Sequence, residues 1–165
     1  MMNFNRATLK TRLVCSVLLL RWTLATQGSA MDYAKLGEQY GNLSNAHDLE
    51  GIRAMIAPDA TIYGNTGADS IIAGMTAFRK TFKDVTWRFT DGFKLAGSPN
   101  ANLTRVSFYF VRHWRDEARG GMSCTATEYI DFTEDGLMQA IGYINGPSEP
   151  AEAPYPYPAA AKADL

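Results

Sequence analysis

Cys124-Thr-Ala-Thr-Glu-Tyr-Ile-Asp-Phe132 alternates with a period of two. Cys124, Ala126, Glu128, Ile130 and Phe132 fall on one side, and Thr125, Thr127, Tyr129 and Asp131 on the other. That is the pattern of a β-strand with one face on a core and the other toward water. Downstream, Glu134-Asp135-Gly136 is a hairpin turn signal, and Leu137–Ile144 reads as the last strand. Upstream, Leu103–Arg115 reads as a long strand with apolar residues on both faces, and Val85, Trp87 and Phe89, then Phe93 and Leu95, alternate with polar residues. Before Lys83 the period is that of a helix. Residues 32–44 set Tyr33, Leu36, Tyr40 and Leu43 on one stripe. Asp48 suits the N-cap of a second helix with Leu49, Ile52, Ala54, Met55 and Ile56 on its buried side, stopped by Pro58. Asp59–Tyr63 reads as a short strand, Gly64–Gly74 as a loop and Met75–Phe82 as a third helix. Helices followed by antiparallel strands predict an α+β fold, with three helices packed on one face of a strongly curved antiparallel sheet.

The rest of the chain frames this body. Of 16 basic and 17 acidic side chains, Arg6, Lys10, Arg12 and Arg21 fall in the first thirty residues, which hold no Asp or Glu. Residues 31–165 therefore carry a net charge of −5, a poor match for phosphates, so nucleic acid is not an expected partner. No apolar run approaches the roughly 20 residues of a membrane span. Residues 1–30 read as a leader: a basic start, the apolar Leu13–Leu20 and a small-residue end at Gly28-Ser29-Ala30. Three readings fit it: an export signal, an organelle transit peptide, or sequence upstream of a true start at Met31. The expected product is a soluble protein, intracellular in the last case and exported or organelle-targeted in the others. Five of seven prolines crowd into Pro147–Pro158, so residues 147–165 read as a disordered or polyproline-like tail. Outside the leader the one cysteine is Cys124, which permits no internal disulfide and no cysteine-based metal site; no metal or other cofactor is expected.

Two residues break the apolar faces. Glu128 lies between Ala126 and Ile130 on the core side of its strand, where a carboxylate must be paired, protonated or facing a cavity. A sheet-edge position or a buried ion pair with an arginine would also accommodate it. Tyr40 is polar-tipped on the stripe of the first helix, as a core tyrosine reaching water would be. If both point into one space, a tyrosine and a protonated carboxyl make two hydrogen-bond donors for a carbonyl or enolate oxygen.

Asn45-Ala46-His47-Asp48-Leu49, Ile56-Ala57-Pro58-Asp59-Ala60-Thr61-Ile62, Gly74-Met-Thr-Ala-Phe78 and Glu134-Asp135-Gly136, in this order and spacing, resemble the NTF2-like superfamily, and within it the SnoaL-like polyketide-cyclase branch. The resemblance covers residues 32–146. It implies a cone-shaped α+β barrel around an apolar pocket, often as a dimer through the sheet. Ketosteroid isomerases share that fold, and by the resemblance their oxyanion tyrosine corresponds to Tyr40 and their protonated acid to Glu128. Their catalytic base falls on Gly64, which has no side chain, and the His-Trp-Asp of the SnoaL-like last strand is replaced by Ile141-Gly142-Tyr143.

Substitute bases are His113, a histidine on a strand with an ordinary pKa near 6.5, and Asp91, in strand parity with Trp87 and Phe89. His113 shares a face with Tyr109 and Val111, opposite Phe108, Phe110 and Trp114, which favours an outward or dimer-facing position. Tyr63, Trp87, Phe89, Phe110 and Trp114 are the expected ligand-contacting residues. Arg112 and Arg115 with Asp116 and Glu117 read as a solvated hairpin end, and Cys124 as a small buried apolar residue. The expected partner is a small apolar carbonyl compound. Three functions follow: a cofactor-free isomerase, cyclase or dehydratase; a binding module that has lost the base; or a dimerisation domain.

Overall fold

A computed structural model describes residues 30–156. All but the final residue of the expected leader, and residues 157–165 of the expected tail, lie outside them. Helix α1 spans Tyr33–Asn45, with the Asp32 carboxylate accepting from the Lys35 N–H as its N-cap. Its deepest stripe is Gly37, Tyr40, Gly41 and Ser44, one position off the stripe of large apolar residues. The glycines let the helix lie close on the sheet. A Cβ on Gly37 would stand 2.6 Å from the Phe93 ring, and one on Gly41 2.8 Å from Phe89.

Asp48 caps α2 as expected, but that helix is only Leu49–Arg53. Strand β1, Ile56–Ile62, already contains Pro58. Pro58 falls between Ile56 and Thr61, where the register of β1 against its neighbour slips, so its missing N–H breaks no ladder. Strand β2 is Asn65–Thr66, and α3 runs Ala68–Thr81, starting seven residues before the expected helix. The stretch read as a loop thus holds the first two turns of α3. Their buried side is Ile71 and Ile72, which continue the Met75 stripe backward.

Strands β3 (Lys83–Ala96), β4 (Thr104–Asp116), β5 (Gly120–Phe132) and β6 (Met138–Asn145) form the main antiparallel run. The sheet order is β2-β1-β6-β5-β4-β3, and β1 pairs with β6 in parallel, so the sheet is not wholly antiparallel. It is curved but not closed into a barrel, because β2 and β3 remain edges. Register shifts between Phe89 and Phe93, and in β5–β6 at Thr127/Glu128 and Asp131/Phe132, introduce local bends.

The tail reading is corrected over its first ten residues. Beyond Thr127, β6 no longer pairs with β5, and Ala151–Glu152 forms β7 on that vacated edge, opposite Ser123 and Met122. The Ser148 N–H donates to Thr125 O at 2.8 Å, the Ala153 N–H to Gly121 O at 2.9 Å, and the Tyr155 hydroxyl to Asp84. Composition reveals the prolines but not the free strand edge that receives them.

The main core joins helix residues Tyr40, Ile52, Ile71 and Met75 to Phe108, Phe110, Ala126, Ile130 and Phe132 of the sheet. Val85, Trp114, Met122 and Cys124 form a second cluster. Cys124 is buried there, and burial pushes its thiol up, away from the reactive thiolate. Among the described residues no helix is long and apolar enough to cross a membrane.

Candidate functional site

Glu128 stands on β5 inside the sheet, with Phe108 on one side and Tyr143 on the other as its cross-strand neighbours. It is 5% exposed. The sheet-edge alternative is therefore wrong, and among the described residues no arginine forms an ion pair with it. Its carboxyl borders a cavity of about 280 Å³ between α1, α3 and the sheet, near the lower end of the roughly 300–1,000 Å³ of ligand pockets. Tyr40, Tyr63, Tyr143, Ser44, Asn65, Arg79 and Arg112 supply the other polar groups of the wall. Ile62, Ile71, Met75, Phe78, Trp87, Phe89 and Phe108 supply the apolar part.

The hydroxyls form one network. Tyr40 is 7% exposed, and it lies within hydrogen-bonding reach of Ser44 and Tyr63. Tyr63 and Tyr143 both donate toward the Glu128 carboxylate. Tyr63 is 42% exposed as a whole residue, but its hydroxyl is buried. Its backbone has φ 49° and Gly64 follows at φ 80°, a left-handed turn costly for a tyrosine and free for glycine. The turn brings the Tyr63 ring against Tyr143, with centroids 5.8 Å apart.

Burial governs the electrostatics. Desolvation pushes the Glu128 carboxyl up to about 7, opposed by the Tyr63 and Tyr143 hydroxyls and the Arg112 charge. Desolvation, then the Glu128 charge, raises Tyr40 to about 12. The same causes take Tyr143 to about 12 and Tyr63 well above its ordinary value, the latter also through Tyr40. Near pH 7 the wall thus presents neutral tyrosine hydroxyls and a carboxyl divided between its two forms.

Of the expected site residues, Tyr40, Glu128, Tyr63, Trp87 and Phe89 line the cavity. His113 does not. It is buried on the opposite face of β4, and burial and the Arg88 charge hold its imidazole below the usual value. Asp91 is exposed in the irregular stretch of β3, away from the wall. Phe110 and Trp114 do lie on the inner face but are packed in the two cores instead of contacting the cavity. Apart from its chain neighbours, nothing lies within 4 Å of where a Gly64 Cβ would be, so the space there is open. Among the described residues no three His, Cys, Asp or Glu side chains come together as a metal-ligand set.

The sequence reading missed Arg79, Arg112 and Tyr143. Arg112 is 8% exposed rather than solvated, beside the rings of Phe78, Phe82 and Trp114 at 5.1, 4.8 and 5.3 Å. Its even-numbered place with Phe108, Phe110 and Trp114 was the available signal. Arg79 follows Met75 by four residues and lies over Trp87 at 5.4 Å. His47, at φ 56°, fixes the turn between α1 and α2 through its Nε2, 2.9 Å from Val85 O.

No protein-family model matches the chain, and no curated protein is similar enough in sequence to match it. Solved structures do match. The RV0760c protein of Mycobacterium tuberculosis, crystallised with estradiol-17beta-hemisuccinate, is 15% identical, with a TM-score of 0.55 over 70% of this chain and 95% of that one. An NTF2-like protein of unknown function from Exiguobacterium sp. 255-15 is 11% identical, with a TM-score of 0.54 over 69% and 98%. A candidate polyketide cyclase from Pseudomonas putida is 15% identical, with a TM-score of 0.52 over 70% and 92%. At such identities the likeness concerns architecture alone, and the architecture of this chain is the α+β fold of NTF2-like and cystatin-fold proteins.

Proposed function

We propose that the cavity binds a planar, apolar carbonyl compound and acts on it without a cofactor, as an isomerase, cyclase or dehydratase does. The observation that carries this is a carboxyl titrating at about 7 beside three neutral tyrosine hydroxyls in an apolar cavity. Tyr40 donates to the substrate oxygen. His113 and Asp91 are outside the cavity, so Glu128 is the group that moves a proton. Its ionised form takes the proton from the carbon next to the carbonyl, the C–H electron pair becomes the enolate double bond, and the carbonyl π pair moves onto the oxygen facing Tyr40. Return of the proton to a different carbon completes an isomerisation. Similar structures lend support: one is a complex with estradiol-17beta-hemisuccinate and another is described as a candidate polyketide cyclase. A homodimer through the outer sheet face, where Tyr109 and Tyr129 are only half-buried in one chain, belongs to the same reading.

The test is proton–deuterium exchange of 2-tetralone, a two-ring ketone, followed by NMR in D2O. The protein should accelerate exchange, increasingly as pH rises through about 7 and Glu128 ionises. Glu128→Gln should lose about 10²–10⁴-fold of the acceleration. The side-chain-free Gly64 favours a second reading, a module that binds without turnover. Binding of the ketone with no acceleration by the unaltered protein would decide for it.

A further inference from the structure

Two cations stand on the cavity wall, and neither is the group that moves a proton in the reading above. Arg112 is buried, its Nε has no hydrogen-bond partner, and the rings of Phe78, Phe82 and Trp114 surround it together with the Cys124 thiol. Arg79 is half-buried, its Nε is likewise unpartnered, and its other N–H groups reach only Met75 O and Ser44 O, at 3.3 and 3.4 Å. Among the described residues no carboxylate lies within 4.0 Å of either guanidinium. A guanidinium stays charged in a protein, and a buried charge without a counter-ion is costly. The cavity lining contains two arginines and one carboxyl that is half-neutral near pH 7, so the wall is net positive in a body of net charge −5.

The Arg112 backbone stands away from that of Glu128 along the sheet, although the Arg112 charge acts on Glu128 and Tyr143 and the Arg79 charge on Tyr40. Glu128 pairs with Phe108 across β4–β5, whereas Arg112 pairs with Cys124. Those two pairs are four residues apart on one face, about 13 Å along the strand at about 3.3 Å per residue. Apolar ring surface from Phe108, Phe78 and Trp87 lines the cavity as well.

We infer that the natural ligand is an amphipathic carboxylate: a planar ring system of two or three rings whose carbonyl or phenolic oxygen meets Tyr40, and whose carboxylate is held by Arg112 and Arg79. The planar fork of a guanidinium matches a carboxylate in two parallel hydrogen bonds. This rests on the proposed use of the Tyr40–Glu128 end, and the two are separable by experiment.

The probes are 6-hydroxy-2-naphthoate and its methyl ester, titrated calorimetrically into the full chain. The acid should bind at least tenfold more tightly than the ester. In Arg112→Met that preference should fall toward one through loss of acid affinity, with Arg79→Met reducing it less because Arg79 is less buried. Tyr40→Phe should weaken acid and ester by the same factor. Equal affinities for acid and ester in the unaltered protein would overturn the carboxylate inference and leave the Tyr40 reading standing. So would a preference that survives both arginine substitutions. Conversely, an arginine-dependent preference with no effect of Tyr40→Phe would leave the anion site standing and remove the Tyr40 reading. Binding of neither probe would overturn both.

Discussion

Glu128 has Phe108 and Tyr143 as cross-strand neighbours and no cationic partner in contact, so burial sets its titration. In the unfolded chain its carboxyl titrates near 4.5 and in the folded chain at about 7. Between those values the folded protein keeps a proton that the unfolded chain has lost. The contribution of this group to stability is therefore fully present below about pH 4.5, falls as pH rises to about 7, and is level above; the loss is on the order of 3 kcal/mol. Glu128→Gln has no proton to lose. Urea denaturation at pH 5 and pH 8 should show the unaltered protein losing more stability between the two than the variant; parallel losses would contradict a buried, singly titrating carboxyl. The sequence exposes Glu128 and Tyr40 because each is polar on an otherwise apolar face. Arg112 sits on its strand face by the same parity but is hidden by the nearby Arg115, Asp116 and Glu117, which resemble a solvated end. Aromatic rings can bury an arginine's faces, and a charge alone does not announce that company.

Among the elements, α1 decides the depth of the cavity. Gly37 and Gly41 bring its backbone onto Phe93 and Phe89, and Phe89 is part of the cavity wall. Gly41→Ala raises helix propensity by about 1 kcal/mol, yet its methyl would stand 2.8 Å from the Phe89 ring and 3.0 Å from Phe93. Overpacking of this kind costs about 1–3 kcal/mol, so the variant should show lower thermal stability, where an exposed glycine of a helix would show a gain. Strands β3 and β5 were legible from their period of two, and β4 as a long run with apolar residues on both faces. Helix α3 was half legible: Met75 and Phe78 carry the stripe, while Gly67, Asp69 and Ser70 gave its first turns the look of a loop. Strand β1 was legible only from Asp59 on; Pro58 masked its first residues, because a proline in a bulge and one ending a helix look alike until the register is known.

For the molecule as a whole, the α+β order of elements could be read from periodicity, and the packing that makes the site could not. The parallel pairing of β1 with β6 places Tyr63 at the cavity, and the left-handed turn at Tyr63 and Gly64 directs it; neither has a local sequence mark beyond one glycine. The docking of β7 likewise depends on where β6 leaves β5. Tyr40 from α1, Tyr63 from the end of β1, Glu128 from β5 and Tyr143 from β6 meet only because all four elements wall one cavity. The central claim is that this cavity takes a ligand oxygen at Tyr40, and its most direct measure is the calorimetric affinity of a two-ring phenol such as 2-naphthol. Removing the hydroxyl in Tyr40→Phe should weaken binding by about 1–3 kcal/mol, roughly 5- to 150-fold, with the heat of binding reduced. An affinity unchanged by that substitution would contradict it.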